Sequence, residues 1–224
     1  MGALPNIAEQ TPLWLLLVTT LVGAVEGAGI GRRAGADVDI IGMAVFALFL
    51  GLGGGLARDT LLGLPAAAIQ SFWYPTMVIA GVALVLAFGR WIRMDGTVIV
   101  GLDALTLGLY AVVGTQKALD YRIPAIGAVV VGLFAAVTGG VIVSLLRRQQ
   151  PTIITPGAPY ALLALIGVLI YLALSRVNGG LAAFACVGFV VTARFITLRW
   201  QITTSSMVAQ PEPPPGTREG RVNP

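Results

Sequence analysis

Two glycine-rich segments carry polar side chains and are the first candidates for a functional site. Their residues are Gly53, Gly54, Gly55, Arg58 and Asp59 in the first, and Thr138, Gly139, Gly140 and Ser144 in the second. Each glycine weakens a helix by about 1 kcal/mol relative to alanine. In lipid, backbone freed from a helix survives only where protein or a water-filled cavity supplies hydrogen-bond partners. Two helix breaks at these segments would suit an ion path, and the alternative is close helix packing.

Arg58 and Asp59 lie in an otherwise apolar segment. Charges in such a segment are costly, and they usually pair or line a wet cavity. The alternative is that the span ends early and both residues lie in the membrane interface. The second glycine-rich segment has Val143 and Ser144 at the matching places, so any charge contribution is one-sided.

Glu26 is a carboxylate within a stripe of glycines at helical spacing. The stripe consists of Gly23, Gly27 and Gly31. Small residues at this spacing predict helix–helix contact, within the chain or between subunits. A carboxylate inside the stripe needs a partner or a proton, and Lys117 and Arg32 are the candidate partners.

Other polar and aromatic residues have a plainer expected role. Asp103 lies near one end of its span, where solvent is a sufficient partner, and Arg194 and Arg199 are expected to anchor the last span to headgroups. Phe49 and Phe134 lie one turn before each glycine cluster. Core packing is their default role, and a hydrophobic constriction is the alternative.

The composition predicts a membrane protein. Of 224 residues, 57% are hydrophobic and only 11% are charged. Apolar runs of about 20 residues, the length needed to cross a bilayer, recur along the chain. The net charge of +4 comes from arginines at the ends of these runs, which is typical of topology signals rather than of a nucleic-acid partner.

Common catalytic and metal-binding motifs are absent from the sequence. There is no histidine and Cys186 is the only cysteine, which argues against a zinc site and against an internal disulfide framework. No metal or other cofactor is expected. Since none of the familiar hydrolase or nucleotide-binding motifs occurs either, an enzyme is a weak hypothesis.

The sequence predicts an all-α integral membrane fold with seven transmembrane helices. The predicted spans are 12–31, 38–62, 72–89, 97–116, 124–146, 159–175 and 179–199. They form one domain over residues 1–203, followed by a disordered tail over 204–224 that is rich in proline, serine and glycine.

The arginines and the lysine predict the orientation of the spans. With the N-terminus outside, the inner side carries ten basic residues and the outer side four. The ten are Arg32, Arg33, Arg90, Arg93, Arg147, Arg148, Arg194, Arg199, Arg218 and Arg221. This excess favours an outside N-terminus and a cytoplasmic C-terminus. One lysine against thirteen arginines is typical of a GC-rich genome, and so indicates the plasma membrane of a prokaryote.

An internal repeat divides the spans into two units. A shift of 85 residues superimposes Gly23 on Gly108, Gly29 on Gly114, Gly42 on Gly127, Gly54 on Gly139 and Gly55 on Gly140. Repeat one covers about 12–89, repeat two about 97–175, and a seventh helix follows at 179–199. Because each unit has three spans, the second must be inverted relative to the first, as in many transporters and some channels.

The glycine segments also carry a family resemblance. GLGGGLARDTLLG followed by Trp73-Tyr74-Pro75, and VTGGVIVSLL followed by Pro159-Tyr160, make residues 12 to about 200 similar to the prokaryotic trimeric intracellular cation (TRIC) channels. The resemblance implies a homotrimer in the lipid bilayer with a pore in each subunit. The pore would pass K⁺, and also Na⁺, between kinked second and fifth spans.

The resemblance assigns roles to individual residues. It implies that the two glycine clusters form the kinks, and that Arg58 and Asp59 are polar pore or gating groups. Val143-Ser144 departs from the family's second Arg-Asp, which argues against a symmetric charge pair. No basic residue occurs at 38–57, so the lipid regulation of eukaryotic members is not implied.

Two other functions fit the same pattern. A secondary transporter of a small solute such as an amino acid also uses inverted repeats and broken helices. A structural or lipid-organising membrane protein would instead keep the glycines and the Arg58-Asp59 pair dry. Both stay open alongside the channel at the level of sequence.

Overall fold

The structure is a computed structural model that describes residues 11–89, 96–151 and 160–200. The described residues form seven main helices: α1 (Leu13–Arg33), α2 (Ile40–Leu61), α3 (Trp73–Phe88), α4 (Gly96–Asp120), α5 (Ala125–Leu146), α6 (Tyr160–Ser175) and α7 (Gly179–Arg199). A 3₁₀ turn, Gly35–Asp37, precedes α2, and a four-residue helix, Ala67–Gln70, follows it. The predicted all-α fold and its seven spans are confirmed, with boundaries that shift by a few residues.

Five of the described helices are long and apolar enough to cross a membrane. These are α1, α2, α4, α5 and α7, with 21 to 25 residues each. The two others, α3 and α6, are apolar but have 16 residues, about 24 Å at the usual rise per residue. Large apolar side chains such as Ile126 and Phe184 are exposed on the outside of the bundle. Such surfaces mark contact with a membrane or another protein.

Local signals in the sequence explain the ends of the helices. The Asp39 carboxylate accepts a hydrogen bond from the Gly42 N–H at 2.8 Å and caps α2. The Asn178 side chain caps α7 in the same way, at 3.0 Å from the Leu181 nitrogen. Gly63 follows α2 with a φ of +65°, a conformation that glycine adopts without strain.

The repeat is visible in the helices. Helices α2 and α5 are both 22 residues long, and their first residues are separated by the 85 residues of the sequence repeat. In each unit the first helix packs against the second and the third, and α2 packs against α5 between the units. Helix α7 packs against α4 and α6. The fold is therefore two inverted three-helix units plus one helix, and the interface between α2 and α5 lies between the units.

The prediction that glycines break the second and fifth spans is wrong at the level of secondary structure. Helix α2 is continuous through Gly53, Gly54 and Gly55, and α5 is continuous through Gly139 and Gly140. Glycine weakens a helix in isolation, but close packing of the two backbones stabilises these turns.

Some predicted features lie outside the described residues. These are Arg90, Arg93, Pro159, Arg218, Arg221 and the tail 204–224.

Candidate functional site

The glycines of α2 and α5 allow the two backbones to touch. A Cβ atom on Gly53 would lie 3.2 Å from the Gly139 Cα, and one on Gly139 would lie 3.1 Å from the Phe49 carbonyl oxygen. A Cβ on Gly54 would meet the Ala135 carbonyl oxygen and lie 2.6 Å from the Tyr110 ring. These contacts leave no room for a passage at this level, which we call the glycine contact.

Tyr110 holds the glycine contact from a third helix. Its side chain comes from α4, is almost fully buried, and donates a hydrogen bond to the Gly51 carbonyl oxygen. That carbonyl belongs to a glycine and lies one turn before another, Gly55, so neither position carries a side chain that would shield it. Sequence reasoning missed Tyr110, because nothing in its own helix distinguishes it from a core aromatic residue.

On one side of the glycine contact, Arg58, Asp59 and Lys117 form what we call the Asp59 cluster. The Asp59 Oδ1 accepts hydrogen bonds from Arg58 Nε at 2.8 Å and from Lys117 Nζ at 2.9 Å. Its Oδ2 accepts one from the Ala67 N–H at 2.9 Å. Asp59 is 1% exposed and Arg58 2%. The predicted pairing of Arg58 and Asp59 therefore holds, and they lie buried within α2.

Lys117 is not the partner of Glu26, contrary to the sequence expectation. It pairs with Asp59, whereas Glu26 lines the same cavity as Asp103. Asp103 precedes Lys117 by fourteen residues, which is about 21 Å along a helix. The two ends of α4 thus lie beside different charged groups, the Asp59 carboxylate at one end and Glu26 at the other, and Lys117 cannot reach both.

On the other side of the glycine contact lies a polar cavity of about 210 Å³, which we call the Glu26–Asp103 cavity. Its charged and polar lining consists of Glu26, Asp103, Ser144, Arg147, Gln149, Gln150, Tyr160 and Arg194. Arg147, Gln149 and Gln150 are exposed, so the cavity opens at the end of α5. Leu50 and Gly140 line it next to the glycine contact.

Asp103 has partners from two other helices. The Tyr160 hydroxyl donates to its Oδ1 at 3.1 Å, and Arg194 Nη2 lies 3.4 Å from its Oδ2. The Arg194 guanidinium also lies 5.0 Å from the centre of the Tyr160 ring, within range of a cation–π interaction. The expectation that Arg194 reaches the headgroups is wrong, since the residue is 6% exposed and faces the cavity. Its position more than one turn before Arg199 is the sequence signal that could have indicated this.

Several buried polar atoms near this cavity have no hydrogen-bond partner in the described part of the chain. They are Glu26 Oε2, Thr106 Oγ1, Arg194 Nε and Arg194 Nη1. A buried polar group without a partner costs about 1–3 kcal/mol, and more when it is charged. Groups left this way in a native structure call for a ligand, an ion or water.

Not all predicted site residues meet at these places. Gly140 and Ser144 line the cavity, whereas the Thr138 hydroxyl bonds to the Phe134 carbonyl of its own helix. Phe134 is 51% exposed and Phe49 is half-buried, which does not favour a constriction formed by the pair.

The glycine stripe of α1 is occupied within the chain. A Cβ on Gly23 would lie 2.5 Å from the Leu50 carbonyl oxygen, and one on Gly31 would lie 2.7 Å from the Met43 side chain. Gly27 faces the Phe46 backbone. The glycine stripe therefore packs against α2 within the chain, as the helix-packing prediction expects.

The described residues contain no group of three or more His, Cys, Asp and Glu side chains placed to hold a metal ion. The charged groups instead form one satisfied cluster and one cavity, separated by the glycine contact.

Solved structures with a similar fold are cation channels. A prokaryotic TRIC channel crystallised in 0.5 M KCl superimposes with a TM-score of 0.74 and 22% identity, over 84% of this chain and 95% of that one. The TRIC trimeric intracellular cation channel orthologue from Rhodobacter sphaeroides gives 0.73 and 26%, over 85% and 98%. The fold expected from the TRIC resemblance is thus confirmed.

Curated relatives are named only as membrane proteins. A UPF0126 membrane protein of Deinococcus radiodurans is 31% identical over 62% of this chain, and the match spans 65% of the relative's length. The UPF0126 inner membrane protein YadS of Escherichia coli K12 is 28% identical over 84% of this chain and 92% of its own.

A family model described as "Glycine transporter" matches the chain twice, over residues 13–90 and 100–176. Each match covers one of the three-helix units, so the model detects the same duplication as the glycine register. Because the two matches together cover more than half of the sequence, the chain belongs to this Glycine transporter family.

Proposed function

We propose that the protein is a monovalent cation channel, permeable to K⁺ and Na⁺, with a pore in each subunit between α2 and α5. The observation that carries this proposal is the Glu26–Asp103 cavity, which leads from the end of α5 to the glycine contact. Carboxylates that line a wet cavity favour cations over anions. The likeness to TRIC cation channels supports the same function.

The structure corresponds to a closed channel in this proposal. Beyond the glycine contact lies a pocket of only about 10 Å³, lined by Thr20, Gly55, Arg58 and Asp59 among others. That volume holds about one water molecule. Opening therefore requires α2 and α5 to separate at Gly53, Gly54 and Gly139, with loss of the Tyr110 hydrogen bond. Arg58 and Asp59 then line the second half of the path.

The proposal includes assembly and location. Three copies form a trimer in the plasma membrane of a prokaryote, with the N-terminus outside and the C-terminus in the cytoplasm. The likeness to a trimeric channel and to an inner membrane protein supports this, together with the ten-to-four excess of basic residues.

Single-channel recording tests the proposal. The purified protein is reconstituted in planar bilayers under a KCl gradient, with the Asp59→Asn variant alongside. We expect discrete openings that reverse near the K⁺ equilibrium potential, with altered conductance in the variant. A silent membrane, together with solute uptake into vesicles from the same sample, would contradict the channel.

A secondary transporter of a small zwitterion is the second candidate. It is favoured by the description of the matching family and by the cavity, which opens at one end and carries carboxylates and guanidiniums together. Transport would require the units to rock around the cavity. Saturable uptake of labelled glycine into vesicles, without unitary currents, distinguishes this function from a channel.

Cysteine labelling separates both functions from a purely structural protein. In a Cys186→Ala background, Ser144→Cys lies in the cavity and is expected to react with a water-soluble thiol reagent. Thr20→Cys is the matched control, since Thr20 is buried beyond the glycine contact. Protection of both cysteines would indicate that the cavity is dry.

A further inference from the structure

We propose that the Glu26–Asp103 cavity holds one monovalent cation against the Glu26 carboxylate. This inference rests on the proposed cation channel and names the site at which the ion loses part of its water. It assigns different tasks to the two carboxylates, with Glu26 as the ion ligand and Asp103 as the fixed partner of Arg194.

Asp103 is already balanced inside the protein. Arg194 Nη2 lies 3.4 Å from one of its oxygens, and the Tyr160 hydroxyl donates to the other at 3.1 Å. The side chains of Asp103 and Arg194 are 22% and 7% exposed, so solvent screens this pair only weakly. A carboxylate with a cation and a hydroxyl donor in place has little need of a further ion.

Glu26 has no ion pair with any described residue. It is 2% exposed, lines the cavity, and has no hydrogen bond at Oε2 to any described residue. The ion pairs in the described part of the chain join Arg58 and Lys117 to Asp59, and Arg194 to Asp103. An unpaired buried carboxylate is strongly unfavourable, so it must take up a cation or a proton.

The charge of the cavity favours a simple cation over a zwitterion. When Glu26 and Asp103 are both ionised they contribute two negative charges, and buried Arg194 contributes one positive charge. Arg147 stands at the exposed mouth, where water and salt screen it. The buried groups therefore sum to one negative charge, which a monovalent ion neutralises and a net-neutral amino acid does not.

The cavity and its surroundings also contain hydroxyl oxygens suited to an alkali-metal ion. Thr106 Oγ1 is buried within interaction range of the Glu26 carboxyl and has no other hydrogen-bond partner in the described part of the chain. Thr106 belongs to α4, the helix that carries Asp103. The Ser144 hydroxyl also lines the cavity, and its donor is used on the Gly140 carbonyl, so its oxygen lone pairs can accept an ion. Hard cations prefer such hydroxyl, carboxylate and water oxygens.

Thallium, a K⁺ analogue with strong anomalous scattering, tests the site directly. Crystals of the full chain are soaked in thallium nitrate in place of potassium salt. We expect an anomalous peak beside Glu26 in the wild type and its loss in Glu26→Gln. Asp120→Asn is the matched control, because Asp120 bonds to Thr11 and Gln116 far from the cavity, and it should keep the peak.

A solution measurement keeps the inference testable if Glu26→Gln does not crystallise. Ligand that binds only the folded protein raises its melting temperature. Thallium should raise the melting temperature of the wild type and of Asp120→Asn in detergent, at constant ionic strength with N-methylglucamine as the replacement cation. The increase should be absent in Glu26→Gln.

Three outcomes overturn the inference. No thallium at Glu26 in the wild type means that the carboxyl group holds a proton. Retention of the peak in Glu26→Gln means that another group binds the ion. Glycine density between Glu26 and Arg194 that displaces thallium means that the site takes a zwitterion. A thallium peak in a protein that is silent in bilayers would sink the proposed channel and leave the cation site standing.

Discussion

The Asp59 cluster and the Glu26–Asp103 cavity are both groups of buried charge, and they differ in how completely they are satisfied. Asp59 accepts hydrogen bonds from Arg58, Lys117 and the Ala67 backbone, beside a pocket of about 10 Å³. The cavity has about 210 Å³ of space and leaves an oxygen of Glu26 without a described partner. The Asp59 cluster holds helices together. The Glu26–Asp103 cavity has space and an unsatisfied carboxylate oxygen for a ligand, an ion or water.

The same comparison shows which features the two repeats share and which they do not. Helices α2 and α5 keep the 85-residue register, and both use glycine to make contact. The charges do not follow it, because Ser144 occupies the place equivalent to Asp59, and Ala111 the place equivalent to Glu26. Duplication thus supplies a symmetric interface, and the one-sided charges give its two ends different tasks.

Loss of the Asp59 charge should have the largest effect on stability. Asp59→Asn leaves buried Arg58 and partly buried Lys117 without a carboxylate. Breaking a buried ion pair by removing one partner costs about 3–5 kcal/mol. We expect a loss of this size in the free energy of unfolding, measured by titration with sodium dodecyl sulfate in detergent micelles.

The matched control for this prediction is Asp120→Asn. Asp120 accepts hydrogen bonds from Thr11 and from Gln116, but it is only partly buried and has no ion pair among the described residues. Because asparagine keeps one acceptor oxygen, the substitution should cost less than loss of Asp59, about 1–2 kcal/mol. Equal effects of the two variants would show that the Asp59 cluster does not hold α2 to α4.

The second-largest loss of stability is expected from substitution of Gly54, whereas its neighbour Gly55 should tolerate the same change. Gly54→Ala places a methyl group against the Ala135 carbonyl and the Tyr110 ring, so α2 and α5 must move apart. Overpacking of this kind costs about 1–3 kcal/mol. Gly55→Ala is the control, since its methyl group would meet only Arg58 Nη2 at 3.9 Å, and it should be neutral or slightly stabilising. The same titration measures both, and a Gly54→Ala protein as stable as Gly55→Ala would contradict the glycine contact.

Much of the fold could be predicted from the sequence because its signals are local or periodic. Apolar runs of helical length predict the spans, and glycines at a fixed offset predict the duplication. The pairing of Arg58 with Asp59 follows from adjacency and from the cost of isolated charge in an apolar segment. These features depend on composition and spacing along the chain, which one sequence provides.

The rest depends on how helices are offset in space. The sequence offers Lys117 and Arg32 as candidate partners of Glu26, yet only the packing of α4 against α2 brings Lys117 to Asp59. The continuity of α2 through its glycines depends on the backbone of α5, which propensity alone does not include. Hydropathy predicts that Arg194 is a headgroup anchor, because it does not show that the side chain turns inward to Asp103.

Tyr110→Phe should weaken the glycine contact by a smaller amount. It removes one buried hydrogen bond, to the Gly51 carbonyl, and keeps the ring. The expected loss is about 1 kcal/mol in the free energy of unfolding. If the contact closes the pore, the variant should also open more often in bilayers. Exposed Tyr121→Phe is the control, and an equal effect there would mean that the Tyr110 hydroxyl contributes nothing specific.

Tyr160→Phe should have the smallest effect, because its hydroxyl bonds to Asp103 beside the cavity rather than inside a dry contact. Water that enters the cavity can take over the lost bond at little cost, so we expect less than about 0.5 kcal/mol in the same titration. The phenylalanine ring still faces the Arg194 guanidinium, which preserves the cation–π contact. A loss in Tyr160→Phe as large as that in Tyr110→Phe would show that the cavity is dry, and the contrast between the two polar regions would fail.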